Sequence, residues 1–266
     1  MKLPLVTIIT PVLNGERFLE YCIQSVISQT YPNIEYIICD GESSDGTGTI
    51  ISKYLSSISL YRCQKDLSMY DAINNAIEIS KGDIIGIVNA DDILSDCNVI
   101  TNIVDKFLNS TDVDFVHGSV NVVNSESKII GKSSPISDSL ISKRVKYEMP
   151  ILHPSLYVRK HVYSTLGLYC LSYRIVADYE FVIRLFSSSF VGLRLDFPVS
   201  NYRVGGMSGT VKGIFETLKL HKEIGLPLLH RYLIFSTTYI KLQLSSLLPS
   251  WILRLLSTSN KRHTFS

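Results

Sequence analysis

The segment 82–94, with the sequence GDIIGIVNADDIL, constrains the fold more than any other part of the chain. Its apolar, β-branched run 84–88 ends abruptly in polar residues, which predicts a central strand of a parallel sheet, covered on both faces. Two adjacent carboxylates, Asp91 and Asp92, follow this strand and repel each other unless a positive charge lies beside them. A divalent cation is a natural partner of such a pair. The alternative is that Asp92 only begins the next helix, because Asp is a common N-cap residue.

The apolar periodicity of residues 6–117 alternates between short β-branched runs and helical segments of about three turns. This alternation is typical of βαβ units and predicts an α/β fold with a mostly parallel, Rossmann-like sheet flanked by helices. The pattern changes after residue 117. Over that second part it predicts a hairpin at 120–130, a loop at 131–149, a strand at 153–158, a helix at 177–186 and a helical section from 214 onwards.

Acidic residues follow three of the predicted strands: Asp40 the second, Asp66 the third, and Asp91 with Asp92 the fourth. Ligands of open α/β sheets bind outside the carboxyl ends of the strands, so these acids predict one polar crevice. Each acid taken alone is equally well explained as a turn or cap residue. The sequence contains neither of the glycine-rich phosphate loops G-x-G-x-x-G and G-x-x-x-x-G-K-[ST]. A diphosphate bound without such a loop needs a cation, which fits the Asp pair.

Composition favours a globular protein of a reducing compartment. The chain of 266 residues is 45% hydrophobic and 19% charged, with a net charge of +2, so we expect neither disorder nor a nucleic-acid partner. The five cysteines show no Cys-x-x-Cys spacing and are interpreted as buried, reduced thiols. Residues 1–12 are too short and too β-branched for a signal peptide, so we expect a cytoplasmic protein.

Two blocks of sequence carry a resemblance to a known family: PLVTIITPVLNGERFLEYCIQSVISQTYPNIEYIICDGESSDGT, and later DLSMYDAINNAIEISKGDIIGIVNADDIL. In this order and spacing they closely resemble the family-2 inverting glycosyltransferases with the GT-A fold, over residues 3–209. The subgroup they are most similar to builds bacterial O-antigen, capsule or colanic acid repeats. The resemblance implies a nucleotide-sugar donor, with UDP-sugar preferred, and Mn²⁺ or Mg²⁺ as cofactor. It also implies a glycan or polyprenyl-diphosphate-linked acceptor.

The resemblance assigns donor-side roles to residues of the first half. Asp40 matches the acid that contacts the nucleotide base, and Asp66 matches a further acidic strand-end position. Asp92 matches the direct metal ligand, and Asp91 the contact to ribose or sugar. The loop after the first strand, which lies against the base in this family, corresponds to Pro11, Val12, Leu13 and Asn14, with Leu13 where the family commonly has Tyr. The side chains of Asn74 and Asn75 are expected to face solvent rather than ligand.

The resemblance also assigns acceptor-side roles in the segments IVADYEFVIRL and LHPSLYV, and it matches NYRVGGMSG (Asn201–Gly209) to the glycine-containing loop that closes near the diphosphate. Asp178 matches the catalytic base, with Glu180 as a second candidate, while its alternative role is to cap the helix. His153 is expected to line the acceptor site or touch the metal, or else to be a hydrogen-bonded structural histidine. Arg203 is expected to offset phosphate charge beside the diphosphate.

We expect a glycosyltransferase domain over residues 1–210, divided near residue 117 into a nucleotide-binding half and an acceptor half. Residues 211–266 are expected to form a helical, basic and apolar tail without acidic residues after Glu223. Its apolar stripe 240–255, with Trp251, suits the surface of an anionic membrane, here the inner face of the cell membrane. The alternative is a helical hairpin that packs on the sheet or on a second subunit, as in a homodimer.

Two other classes of protein also fit an acidic crevice. A sugar-phosphate nucleotidyltransferase would share the crevice but needs a glycine-rich, basic loop after the first strand, of which Asn14–Arg17 is a weak version. A non-catalytic nucleotide- or carbohydrate-binding module would keep Asp40 and Asp92 but would not need Asp178. Release of free nucleoside diphosphate in the presence of donor and acceptor separates the three.

Overall fold

The computed structural model describes residues 3–133, 137–205 and 210–247. The chain divides into two compact units, Met1–Val204 and Gly205–Ser266. The predicted loop residues 206–209 lie outside the described residues. The part of the predicted tail stripe beyond residue 247, with Trp251, also lies outside them.

Up to residue 117 the first unit broadly alternates strands and helices, as the periodicity predicts. Its strands are β1 (Val6–Val12), β2 (Ile34–Asp40), β3 (Leu60–Cys63), β4 (Ile84–Ile87), β5 (Ile93–Leu94), β6 (Phe115–Val123), β7 (Ile129–Lys132), β8 (Leu156–Arg159) and β9 (Gly192–Arg203). Its helices are α1 (Leu19–Ile27), α2 (Thr47–Ser52), α3 (Met69–Ile79), α4 (Val99–Asn109), α5 (Asp138–Arg144), α6 (Lys160–Leu166) and α7 (Ala177–Phe186). Short 3₁₀ turns occur at Leu55–Ser57 and His153–Ser155.

The strands described form one sheet in the order β3-β2-β1-β4-β8-β6-β9-β5, with β7 paired to β6. The amino-terminal strands β3, β2, β1 and β4 are all parallel. Beyond β4 the sheet is mixed, because β8 enters between β4 and β6 and is antiparallel to both. The predicted α/β sheet flanked by helices is confirmed, and its parallel character belongs to the first half.

Strand β4 is the buried central strand that the sequence predicts. Its four residues are all buried, and β1 and β8 pair with its two edges. Gly86 lies opposite Tyr157 of β8, and a Cβ at Gly86 would lie 2.2 Å from the Tyr157 ring. The glycine therefore leaves room for a buried aromatic ring to cross the centre of the sheet.

Four predictions for the first unit were wrong in detail. The predicted loop 131–149 contains helix α5, and the predicted strand 153–158 begins as a 3₁₀ turn, since Pro154 cannot donate to a ladder. Of the five free cysteines, Cys63 and Cys97 are exposed rather than buried. Asn74 is 8% exposed and is hydrogen-bonded inside the protein, so it does not face solvent.

The second unit contains helices α8 (Val211–Glu223) and α9 (Leu228–Leu247). The Thr210 side chain accepts a hydrogen bond from the Gly213 N–H and so caps α8. Four apolar or aromatic side chains on α9 are more than half exposed: Leu228, Leu229, Tyr232 and Leu233. Within the part of the chain that the structure describes, no helix has the length and apolar character needed to span a membrane.

Candidate active site

The carboxyl ends of the parallel strands meet at one edge of the sheet. Asp40, the last residue of β2, pairs with Val12, the last residue of β1, and with Cys63, the last residue of β3. On the other side of β1, Ile87 at the end of β4 pairs with Ile9. The acidic residues that follow these strands are therefore brought to the same edge, which is the arrangement predicted for a ligand crevice.

Asp92 forms the buried centre of this edge and is 1% exposed. Its N–H donates to the Asn89 carbonyl at 3.0 Å, which closes a tight turn after β4. Its carboxylate accepts hydrogen bonds from the Arg203 N–H at 3.0 Å and from Asn89 Nδ2 at 2.9 Å. Strand β5 follows directly, and α4 begins only at Val99, so the interpretation of Asp92 as a helix cap is wrong.

Burial disfavours the ionised forms of Asp91 and Asp92 and so raises the pKa of both carboxyl groups. Removal from water, followed by the neighbouring charge of Asp91, raises the pKa of Asp92 to about 7. Burial also raises the pKa of Asp91, and the Arg203 charge opposes that rise. Asn89 Oδ1, in the same turn, is a buried oxygen without a hydrogen-bond partner among the described residues. A cation at this position would stabilise the ionised carboxylates.

Asp40 is buried and held in one orientation by its neighbours. One carboxylate oxygen accepts the Ser43 N–H at 2.8 Å, and the other accepts the Tyr61 hydroxyl at 3.0 Å. Burial raises the pKa of Tyr61, so its hydroxyl keeps its proton and acts as the donor. The carboxylate of Asp40 thus remains an oriented acceptor for a further donor group.

The loop after β1 is joined to the loop after β2. Pro11 and Val12 are the buried last residues of β1, whereas Leu13 is 64% exposed. Asn14 has a φ of +54°, its N–H donates to Ser43 Oγ at 2.8 Å, and its Oδ1 accepts the Ser44 N–H at 2.9 Å. These contacts place the exposed Leu13 side chain beside the loop that follows Asp40.

Asp66 lies three residues after β3 and is engaged by basic and amide groups of the protein. Arg62 donates to both of its oxygens, at 2.9 and 2.8 Å, and Asn75 Nδ2 donates to Oδ1 at 3.2 Å. The expected solvent-facing role of Asn75 is therefore wrong, since the residue orients this carboxylate.

Asp178 is the second residue of α7 and is half-buried. The N-cap position of α7 belongs to Val176, and Asp178 Oδ1 accepts the Tyr179 N–H at 2.8 Å. A carboxylate in the first turn of a helix is stabilised by the unpaired N–H groups of that turn. Asp178 thus stabilises the start of α7 without being its N-cap.

Glu180, the second candidate, is paired within the same helix. Arg184 donates to both of its carboxylate oxygens, at 2.7 and 2.8 Å. The same guanidinium also donates to the carbonyls of Leu166 and Leu168 at 2.6 and 2.7 Å. Glu180 is therefore part of the structural link between α7 and the end of α6.

His153 lies in a buried polar cluster with Tyr169, close enough to Asp178 to respond to its charge. Its Nε2 is 2.8 Å from the Tyr169 hydroxyl, and burial lowers its pKa, opposed by the charge of Asp178. The Tyr169 main chain is held in turn by Asn74, which accepts its N–H and donates to its carbonyl, both at 2.9 Å. Neither Tyr169 nor the inward position of Asn74 was predicted from the sequence, although Asn74 shares the inward face of α3 with Tyr70 and Ile77.

Arg203, the last residue of β9, has protein acceptors for all three guanidinium nitrogens. They are the carbonyls of Asp91 and Asn124 and the Ser127 hydroxyl, at 3.2, 2.6 and 3.0 Å. The side chain is 4% exposed. The sequence places this residue near the diphosphate, while the structure directs its donors to the protein itself.

The donors available to a metal ion at this edge are oxygens. Among the described residues, no group of three or more His, Cys, Asp or Glu side chains is arranged to hold a metal ion. Asp91 and Asp92 therefore supply at most two carboxylate ligands. This donor set fits Mg²⁺ or Mn²⁺, which bind through one or two carboxylates and complete their shell with water and substrate phosphates.

Comparison with known proteins identifies the class. The sequence model of the glycosyl transferase family 2 matches residues 7–167, so the chain belongs to this family and is a glycosyltransferase. A PGL/p-HBAD biosynthesis glycosyltransferase of Mycobacterium bovis is 28% identical over 235 residues, which are 86% of this chain and 89% of the relative. The Escherichia coli UDP-Glc:alpha-D-GlcNAc-diphosphoundecaprenol beta-1,3-glucosyltransferase WfgD is 32% identical over 129 residues, 48% of this chain and 50% of that enzyme.

Solved structures confirm the GT-A fold. Residues 1–349 of S. aureus TarS, in complex with UDP-GlcNAc, superpose with a TM-score of 0.67 at 18% identity, over 91% of this chain and 73% of that TarS fragment. The mannosyltransferase PcManGT of Pyrobaculum calidifontis, in complex with GDP-Man and Mn²⁺, gives a TM-score of 0.62 at 17% identity, over 100% of this chain and 82% of that one. Both the predicted family and the predicted fold class are thereby confirmed.

Proposed function

We propose that the chain transfers a sugar from a nucleotide-sugar donor to a hydroxyl of a glycan or lipid-linked sugar, with inversion at the anomeric carbon. The observation that carries this proposal is the buried Asp91–Asp92 pair at the same sheet edge as Asp40. UDP-sugar is the proposed donor, supported by the names of WfgD and of the TarS complex. The proposed setting is the synthesis of a bacterial surface polysaccharide.

Asp92, assisted by Asp91, is the proposed holder of Mn²⁺ or Mg²⁺. The fit is supported by the oxygen donor set, by the raised pKa of Asp92 and by the unpartnered Asn89 Oδ1. When bound, the cation neutralises the charge that develops on the departing nucleoside diphosphate. The chain itself keeps the two carboxylates adjacent and excludes water from Asp92.

The base and ribose of the donor are the proposed ligands of the β1–β2 edge. Asp40, fixed by Ser43 and Tyr61, offers an acceptor for an N–H of the base. Pro11, Val12, Leu13 and Asn14 form the proposed wall against the base, where the exposed Leu13 provides an apolar contact in place of an aromatic stack. Asp66, which Arg62 orients, is the proposed outer limit of this subsite.

Asp178 is the proposed general base, which takes the proton of the acceptor hydroxyl as that oxygen attacks the anomeric carbon. A single displacement of this kind inverts the configuration, by the same logic as in inverting glycosidases. Asp178 is preferred to Glu180 because both oxygens of Glu180 already accept hydrogen bonds from Arg184. His153, neutral because burial lowers its pKa, is a proposed part of the acceptor wall.

The second unit is the proposed contact with the inner face of the cell membrane, where a polyprenyl-diphosphate-linked acceptor would be held. Support comes from the exposed apolar face of α9 and from the absence of acidic residues after Glu223 in the sequence. Apolar side chains flanked by basic residues bind anionic membrane surfaces. Formation of a homodimer through the same helices is the competing outcome.

A donor screen tests the proposed function. The wild-type protein is incubated with Mn²⁺, a panel of UDP- and GDP-sugars and lipid-linked sugar acceptors, and free nucleoside diphosphate is measured. We expect release that needs both substrates, and a loss of about 10²–10⁴-fold in turnover for Asp178→Asn with unchanged affinity for the nucleotide. Glu180→Gln is the matched control in the same helical turn. Release of pyrophosphate would favour a nucleotidyltransferase, and binding without turnover would favour a binding module.

A further inference from the structure

Arg203 connects three segments that are distant in sequence. Its guanidinium donates to the Asp91 carbonyl in the turn after β4, and to the Asn124 carbonyl and the Ser127 hydroxyl in the turn between β6 and β7. The guanidinium carbon also lies 3.8 Å from the centre of the Phe18 ring, directly before α1.

The main chain of the same residue contacts the carboxylate that is the proposed metal ligand. The Arg203 N–H donates to Asp92 Oδ1 at 3.0 Å. Arg203 thus holds the Asp91–Asp92 turn at two points, one through its side chain and one through its backbone. Its charge also stabilises the ionised forms of both carboxylates.

The β6–β7 turn, to which Arg203 anchors the Asp91–Asp92 turn, is stabilised by its own hydrogen bonds. Asn124 Oδ1 accepts the N–H groups of Glu126 and Lys128, each at 3.0 Å. The Asn124 main chain pairs with Lys128 and Ser127, and Ser127 has a φ of +61°. A turn with this many internal hydrogen bonds is held in one conformation. Because the guanidinium binds both this turn and the Asp91 carbonyl, it fixes the position of the Asp91 carbonyl relative to the turn.

We propose that Arg203 is a positioning residue that fixes the Asp91–Asp92 turn against the β6–β7 turn and thereby sets the affinity of the site for Mn²⁺ and nucleoside diphosphate. This inference rests on the proposed function. Lysine cannot take over the role, because a single ammonium replaces three donors in a plane and loses the broad contact with the Phe18 ring. Groups that orient metal ligands typically change metal affinity by about 10–100-fold when they are mutated.

The chain offers a matched control in Arg159. Its guanidinium also donates to two main-chain carbonyls, those of Val113 and Phe107, at 2.7 and 3.2 Å, and lies 4.9 Å from the Phe107 ring. Arg159 pairs with Ile84 at the start of β4, so it lies at the opposite end of that strand from the acidic turn. Arg159→Lys therefore removes a comparable set of structural contacts away from the proposed site.

The experiment compares Arg203→Lys, Arg159→Lys and wild type. Mn²⁺ binding is measured by electron paramagnetic resonance, and UDP and GDP binding in the presence of Mn²⁺ by calorimetry, with melting temperature recorded for each variant. We expect Arg203→Lys to weaken Mn²⁺-dependent nucleotide binding about tenfold or more. We expect Arg159→Lys to lower the melting temperature to a similar degree while leaving this binding within about twofold of wild type.

Ser127→Ala provides a milder test should Arg203→Lys fold poorly. It removes one acceptor of the guanidinium and lies in a turn to which the proposed function assigns no ligand contact. We expect weaker Mn²⁺-dependent binding, about two- to fivefold. Equal affinities in wild type, Arg203→Lys and Ser127→Ala would overturn the inference while leaving the proposed function intact. If the wild type binds neither UDP nor GDP in the presence of Mn²⁺, both the role of Arg203 and the proposed function are overturned. The two failures are therefore distinguishable.

Discussion

Replacing Asp92 by Asn should stabilise the metal-free protein, and more so at high pH than at low pH. Burial raises the pKa of Asp92, so the folded state binds a proton that the unfolded state loses at lower pH. Stability associated with the protonated carboxyl is therefore present below the unfolded pKa and lost as pH rises towards the folded pKa. Asn keeps the shape of the side chain without the charge. Its amide can donate to the unpartnered Asn89 Oδ1 once the Asn89 amide turns over, because Asn89 Nδ2 faces the position of Asp92 Oδ2.

The magnitude follows from the pKa, which rises from 3.8 to about 7. One pH unit corresponds to about 1.4 kcal/mol, so ionised Asp92 lowers the free energy of unfolding by about 4 kcal/mol at pH 8. At pH 5 the unfolded carboxyl is ionised but the folded one is mostly protonated, so Asp92 lowers the free energy of unfolding by only about 2 kcal/mol. Asp92→Asn should therefore gain about 2 kcal/mol more at pH 8 than at pH 5.

Urea unfolding followed by circular dichroism, with EDTA present, measures this difference. Asp196→Asn is the matched control, because the Asp196 side chain is 81% exposed and its replacement removes one charge without relieving burial. Its effect should stay within about 0.5 kcal/mol at both pH values. An Asp92→Asn protein that is equally or less stable than wild type at pH 8 would refute the reasoning, as would a gain that does not change with pH.

Two further predictions concern the interior and the tail. Asn74→Ala leaves the Tyr169 N–H and carbonyl buried without partners, and urea unfolding should show a free energy of unfolding lower by about 2–4 kcal/mol. The matched control Asn75→Ala should lower it by about 1 kcal/mol. Equal effects would contradict a stabilising role for the two buried Asn74–Tyr169 hydrogen bonds. If the tail binds a membrane, replacing its basic residues by Gln should release the protein from anionic vesicles in a sedimentation assay, since each contributes about 1 kcal/mol; a wild type that stays in the supernatant at low salt would contradict membrane binding. The residues are Arg231, Lys241, Arg254, Lys261 and Arg262.

The parts of the site that could be predicted from sequence are those set by position relative to a strand. Asp40, Asp91 and Asp92 follow buried strands, and parallel neighbours bring their carboxyl ends to one edge whatever the details of packing. The mixed second half of the sheet is different, because β8 pairs with β4 through residues more than 70 positions apart. Nothing local in 156–159 indicates that this strand enters the sheet beside β4 in the antiparallel sense.

Local conformation also decides which ion pairs can be predicted from the sequence. Glu180 and Arg184 are four residues apart on a helix, a spacing that predicts their ion pair, so its structural role was accessible from sequence. Arg62 and Asp66 have the same spacing, but Arg62 belongs to a strand and Asp66 to the loop beyond it. Residues four apart in an extended chain lie far from each other, so only the return of the loop over β3 brings this pair together. A spacing rule therefore has predictive value only after the local conformation is known. Arg203, whose hydrogen-bond partners lie 76 to 112 residues away, is beyond any such rule.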